Sequence, residues 1–168
     1  MKIIVILQVF IAFVIGIGAL FTIFKILNSY MRKQLQIQDR NTAYAIFQAG
    51  IVISSAIILT DVIHPALNVI NFLNQDGAAT LQSIAYSAGY AILFVLIGIF
   101  FTFLVIAGGI GTFFQLTKVN EWEEIKNNNI EMSLISVALI LGLSIIVSQY
   151  IGFLCEALIP YPQIPRFY

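Results

Sequence analysis

One short segment concentrates the side chains that could do chemistry. Asp61, His64, Asn68 and Asn71 follow one another at spacings of three, four and three residues, which places them on one face of a helix. A carboxylate beside a histidine can relay protons or bind a metal ion. However, one histidine with no cysteine nearby cannot complete a closed metal site within a single chain. We therefore expect no metal or other cofactor, and a polar stripe near a membrane surface is the simpler interpretation.

Further polar residues lie inside or at the ends of long apolar runs. Because polar groups inside membrane spans often mark the path of a solute, five residues form a candidate polar pathway: Gln48, Ser54, Asp61, His64 and Gln149. The alternative is hydrogen bonding between helices, which contributes about 0.6 kcal/mol per bond and orients helices without forming a pore. The sequence contains no pattern of a nucleophile with its base, of paired deep carboxylates or of a phosphate loop, so an enzyme is not expected.

An asparagine stands immediately before two of the apolar runs. Asn41 precedes residues 42–62, and Asn129 precedes residues 130–155. Asparagine is a favoured N-cap residue because its side-chain oxygen accepts a hydrogen bond from a free backbone N–H of the first helical turn. The two residues are therefore predicted to be helix caps, and binding of a polar ligand is the secondary interpretation.

The loop at residues 117–126 predicts a short interfacial helix. Asn120 and Glu123 have the spacing of a capping box, and Trp122 with Ile125 would form an apolar edge on the lipid headgroups. The candidate residues for docking a cationic cytoplasmic partner are Glu121, Trp122, Glu123 and Glu124. A solvated polar face is the more common meaning of such a charged run.

These residues are carried by a strongly apolar chain. Of its 168 residues, 60% are hydrophobic and 10% are charged, whereas soluble domains carry about 25% charged residues. Four runs are long enough for helices that span a membrane: residues 3–27, 42–62, 84–114 and 130–155. The prediction is one all-α integral membrane domain over residues 1–168. The third helix, about 46 Å long, must tilt, protrude or bend. Zero net charge gives no indication of nucleic-acid binding.

The four runs form two similar hairpins, each with a charged loop closed by an asparagine. The predicted repeats are residues 3–73 and 78–159, followed by a tail at 160–168. Tandem repeats with an even number of spans insert the same way round, so a pseudo-two-fold axis along the membrane normal is expected. Gly16 and Gly18 in the first helix and Gly98 in the third predict a close approach of these two helices.

Basic residues beside the spans predict the orientation. Six of them belong to the two charged loops and two lie on the opposite side. The six are Lys25, Arg32, Lys33, Arg40, Lys118 and Lys126, and the two are Lys2 and Arg166. Since Lys and Arg accumulate on the cytoplasmic side, both loops are predicted to be cytoplasmic and both termini periplasmic or extracellular.

The sequence N-E-W-E-E-I-K-N-N-N at residues 120–129, followed by an apolar helix that contains serines, resembles the YjfL-like family of bacterial inner-membrane proteins, known as domain of unknown function 350. The segment from Ser29 through Ala45 resembles a hairpin loop of the same family. The resemblance covers most of the chain. It implies a small four-helix protein of the bacterial inner membrane with an internal two-helix duplication, and it implies no established chemistry.

The sequence is compatible with two functions. The chain could be an oligomeric scaffold or an envelope-stress-associated component whose loops bind a cytoplasmic protein. Alternatively, several copies could form a conduit for a small ion or solute, since a unit of four helices would need oligomerisation to enclose a path. In both cases the expected partners are the lipid bilayer and further copies of the chain.

Overall fold

The computed structural model describes residues 2–35, 41–73, 81–117 and 120–159, and the regular secondary structure in these ranges is entirely helical. The helices are α1 Lys2–Leu35, α2 Thr42–Leu73, α3 Leu81–Thr117, α4 Glu121–Lys126 and α5 Ile130–Ala157. Within the described ranges, α1, α2, α3 and α5 contain segments long and apolar enough to cross a membrane. The predicted all-α membrane architecture is confirmed. The tail at residues 160–168 lies outside the described residues.

The spans are longer than a bilayer requires. The 37 residues of α3 correspond to about 55 Å of helix, against a hydrocarbon core of about 30 Å. The helix is continuous across its five glycines, so it must tilt in the bilayer or extend beyond the hydrocarbon core.

Helix α2 also continues where the sequence suggests an interruption. Pro65 favours a kink or a fresh helix start, and of these two alternatives the fresh start is excluded because Pro65 lies inside the 32-residue α2. Proline has no N–H, and the carbonyl of Asp61 therefore lacks its helical donor. Helix continuity is maintained because Val62, Ala66 and Val69 on either side are almost fully buried.

Helix α2 is the centre of the bundle and packs against α1, α3 and α5. Its most extensive contact is with α5, and the two helices run side by side in the same direction. Ser133 contacts Ala43 near their first turns, Ser144 contacts Ser54 further along, and Gly152 lies against Asp61 at the far end. The α2–α5 interface therefore joins the two predicted hairpins into one unit.

Helices α1 and α3 occupy unequal positions beside this pair. Helix α3 packs against both α2 and α5, whereas α1 packs mainly against α2. The parallel course of α2 and α5 is what a pseudo-two-fold axis along the membrane normal requires, but their flanking helices do not repeat that relation. The internal duplication stays a prediction.

The glycines identify where the helices approach most closely. A methyl group built at Gly98 would lie 3.2 Å from both Leu59 and Val62 of α2, and one at Gly16 would lie 3.4 Å from Ile63 of α2. Gly18 faces open space. The expectation that these glycines bring α1 against α3 is wrong, because α1 and α3 each turn their glycine toward α2.

Candidate functional sites

Asn41 joins the two hairpins at the end of the bundle that carries α4. Its side-chain oxygen accepts a hydrogen bond from the backbone N–H of Tyr44 at 2.7 Å, in the first turn of α2. Its side-chain nitrogen donates to the backbone carbonyls of Ile125 at 2.7 Å and Lys126 at 3.1 Å, in the last turn of α4. One side chain thus bonds to a backbone N–H at the start of α2 and to two backbone carbonyls at the end of α4, where helices leave such groups without partners of their own.

Two further asparagines complete this connection. The Ala43 N–H donates to the side-chain oxygen of Asn128 at 3.0 Å. Asn129 accepts from the Met132 N–H at 3.2 Å and donates to the carboxylate of Glu124 at 2.8 Å. Asn128 has a φ of 62°, a left-handed conformation that asparagine adopts more readily than most residues. We name Asn41, Asn128 and Asn129 the asparagine junction.

Helix α4 faces the protein with its apolar edge. Ile125 is 1% exposed, and the half-buried ring of Trp122 meets the ring of Phe47 edge to face at a centroid distance of 5.9 Å. The expectation that Trp122 and Ile125 rest on the headgroups is therefore wrong, because α2 covers this edge. Asn120 precedes α4 with an extended backbone, but its side chain makes no capping hydrogen bond, so the expected capping box is not formed through it.

The candidate docking residues on α4 have different surroundings. Trp122 is packed against Phe47, and Glu124 is bound to Asn129. Glu123 is exposed, while the side chain of Glu121 lies outside the described residues. Of the two α4 acids whose side chains are described, Glu123 and Glu124, Glu123 is thus the one free to meet a partner.

Gln48 belongs to a polar cluster between α1 and α2. Its amide nitrogen donates to the side-chain oxygen of Asn28 at 2.7 Å and to the Tyr44 hydroxyl at 2.9 Å. The Tyr44 hydroxyl and the Arg32 guanidinium also donate to this Asn28 oxygen, at 2.8 and 3.2 Å. The cluster fixes the end of α1 to the start of α2. Sequence reasoning missed the roles of Asn28 and Tyr44, although the four-residue spacings of Asn28 to Arg32 and of Tyr44 to Gln48 were a usable signal.

Ser54 lies in the α2–α5 interface rather than beside water. It is 0% exposed, as is Ser144, and the two hydroxyls are hydrogen-bonded to each other. Ser144 uses its single proton to donate to the Ile140 carbonyl at 2.7 Å, so Ser54 is the donor in the serine pair. The pair links two spans and leaves neither hydroxyl free to meet a passing solute.

The remaining candidates lie together at the opposite end of the bundle. Asp61, His64 and Gln149 line a shallow cleft of about 280 Å³, together with Pro65, Gly152, Phe153 and Glu156. The described residues contain no group of three or more His, Cys, Asp and Glu side chains arranged to hold a metal ion. A methyl group at Gly152 would lie 3.3 Å from the Asp61 carbonyl oxygen, the group that Pro65 leaves without its helical donor.

The five residues of the candidate polar pathway therefore occupy three separate places. Gln48 lies in the cluster with Asn28, Ser54 in the buried α2–α5 interface, and Asp61, His64 and Gln149 in the cleft at the far end. Ser54, which lies between the other two places along α2, is fully buried.

Four membrane-length helices, of which α1, α3 and α5 pack around α2, define a multi-pass α-helical membrane protein whose polar groups form contacts between helices. The family model for a domain of unknown function, DUF350, matches residues 2–151. The chain therefore belongs to the DUF350 family. No curated protein and no solved structure matches it.

Proposed function

We propose that this protein is a non-transporting, non-enzymatic scaffold of the bacterial inner membrane that acts as a homo-oligomer. The α2–α5 interface is the observation that carries this proposal. Ser54, Ile58, Ile140, Ser144 and Ile151 are all 2% exposed or less. A conduit through one chain would need water-accessible polar groups along a span, and here the central hydroxyls bond to each other.

The α4 end supports a docking role. Glu123 projects from a helix of six residues that is too short to be stable alone and is held in place by the asparagine junction. A rigidly presented acid with a solvent-exposed carboxylate suits a partner that carries positive charge. With the predicted orientation, this surface faces the cytoplasm, where a soluble protein partner could reach it.

Two experiments on purified protein in proteoliposomes test the proposal. We expect the flux of small cations and polar solutes to equal that of protein-free vesicles, and replacement of Gln48, Ser54 and Gln149 by leucine to leave it unchanged. Flux well above the protein-free value that disappears in the leucine variant would contradict the scaffold and support a conduit formed by several copies.

A photo-crosslinking amino acid at position 123 tests the docking surface in cells. We expect it to capture a defined protein, and the same group at position 156, on the far side, to capture none of it. Matching capture profiles at the two positions would show that the α4 end has no selective partner. Glu124→Lys is the control for the asparagine junction. Because Glu124 accepts a hydrogen bond from Asn129, this variant shows how capture changes when the junction is disrupted.

A further inference from the structure

An open apolar groove separates α1 from α3 at the α4 end of the bundle. Its volume is about 660 Å³, within the range of about 300–1,000 Å³ that is typical of ligand sites. The walls are Ile26 and Tyr30 of α1 and Phe103, Ala107 and Gly111 of α3, and Trp122 of α4 closes one end. Because both wall helices belong to membrane spans, the side of the groove opens toward lipid rather than water.

Polar groups gather at one end of this groove. Trp122 and Asn120 line it where α4 crosses the end of the bundle. Lys33 follows Tyr30 by three residues and Ile26 by seven, so it lies on the groove face of α1, one turn beyond the apolar wall. Its side chain is exposed. Aromatic rings with a polar edge and long cationic side chains are the groups that sit at headgroup level in membranes.

The extent of the groove fits one leaflet. From Phe103 to Gly111 the wall rises about 12 Å along α3 at 1.5 Å per residue, close to half of a hydrocarbon core about 30 Å thick. A membrane-spanning helix from a second copy would extend past the groove through the other leaflet. A lipid acyl chain needs one leaflet, with its headgroup at the polar end.

We propose that this groove is a binding site for a single anionic phospholipid, with an acyl chain between α1 and α3 and its phosphate beside Lys33. The charge of Lys33 complements the phosphate, and the described acids of α4 do not line the groove. The bound lipid would fill the space that the divergence of α1 and α3 leaves, and so would complete the packing of α1 on the bundle.

The chain contains its own probe for this site. Trp122 is the single tryptophan in the sequence and lies on the groove. In vesicles of phosphatidylcholine with a minor fraction of phosphatidylglycerol brominated in its acyl chains, we expect Trp122 fluorescence to be quenched well beyond the bulk fraction of brominated lipid. With brominated phosphatidylcholine and unlabelled phosphatidylglycerol, we expect quenching below the bulk fraction.

Two glycines on α3 give matched variants. A methyl group at Gly111 or Gly108 meets nothing within 4 Å, so the β carbon of a phenylalanine fits at either position without a backbone shift. Gly111 lines the groove and Gly108 does not. We expect Gly111→Phe to reduce the quenching to the bulk level and Gly108→Phe to retain the wild-type excess. Equal excess quenching in wild type, Gly111→Phe and Gly108→Phe would overturn the proposal, because it would report lipid around the whole protein.

Substitution of Lys33 tests the headgroup contact independently of the groove. A basic residue near an anionic membrane surface contributes about 1 kcal/mol, so Lys33→Gln should weaken the preference for phosphatidylglycerol about fivefold. Lys25→Gln, at an exposed lysine of the same helix that lies outside the face formed by Ile26, Tyr30 and Lys33, should leave it unchanged. If Gly111→Phe instead lowers the oligomeric state and leaves quenching as it was, a second copy occupies the groove and the lipid proposal is wrong.

Discussion

Alanine at Gly50 should lower the free energy of unfolding by about 1–3 kcal/mol, the usual cost of overpacking a core. A methyl group at this position would lie 2.5 and 2.6 Å from the two γ carbons of Val137 and 3.0 Å from its β carbon. Valine is stiff about χ1, so the contact can be relieved only if α2 and α5 move apart. Reversible unfolding of the purified protein in mixed detergent micelles measures the change.

Two variants separate this packing effect from the change of residue type. Gly142→Ala on α5 introduces a methyl group that meets nothing within 4 Å, and it should be neutral or stabilising because alanine favours a helix more than glycine does. Val137→Ala in the Gly50→Ala background should restore part of the lost stability. A stable Gly50→Ala protein that is unaffected by the second substitution would show that the helices are not in close contact there.

Replacing Asn41 by alanine should cost about 2 kcal/mol of unfolding free energy, since it removes an N-cap and the side-chain donor to one partly buried and one exposed carbonyl. Asn41 is bonded to Tyr44 in α2 and to Ile125 and Lys126 in α4. The same unfolding measurement gives the free energy. The emission of Trp122 reports separately whether α4 has left α2.

Asn41→Asp tests which half of this side chain matters. Aspartate keeps the capping oxygen but replaces the donor with an acceptor that faces two carbonyl oxygens, so α4 should be released while the start of α2 remains capped. Asn127→Ala is the control, because Asn127 is exposed and forms no side-chain hydrogen bond within the described residues. If Asn41→Asp is as stable as wild type and has the same Trp122 emission, the hydrogen bonds from Asn41 to α4 neither stabilise the protein nor hold α4 in place.

The spans could be predicted because each rests on a physical requirement that the local sequence meets. Continuous apolar runs of membrane length admit a helix in hydrocarbon, and α1, α2, α3 and α5 follow them. The side-chain oxygens of Asn41 and Asn129 accept hydrogen bonds from N–H groups three residues further along the chain. At this short sequence separation, helix-capping preferences can be read from the local sequence.

Contacts between distant segments could not be predicted in this way. Nothing near Asn41 specifies that its nitrogen meets carbonyls 84 and 85 residues away. The pattern of α4 gives it an apolar edge at Trp122 and Ile125, but whether lipid or α2 covers that edge is decided by tertiary packing. Pro65 likewise carries a local signal for interruption, and burial of its neighbours overrides that signal.

The α2–α5 interface also changes the meaning of the polar residues. A serine inside a span is compatible with a solute path or with a contact between helices, and the sequence contains no information that separates the two. Ser54 becomes a contact residue because Ser144 is directly opposite. Such pairing depends on the register of two helices 90 residues apart in the chain.

Cysteine accessibility tests whether the α2–α5 interface is closed to water. The single native cysteine, Cys155, is buried and is replaced by alanine. Ser54→Cys, Ser144→Cys and Glu123→Cys are then made one at a time and treated in lipid vesicles with a membrane-impermeant maleimide applied to both faces. Trp122 emission identical to that of the Cys155→Ala protein shows that each variant is folded. We expect Glu123→Cys to react and both interface cysteines to stay unlabelled, whereas labelling of position 54 or 144 at a rate similar to position 123 would show that water enters the α2–α5 interface.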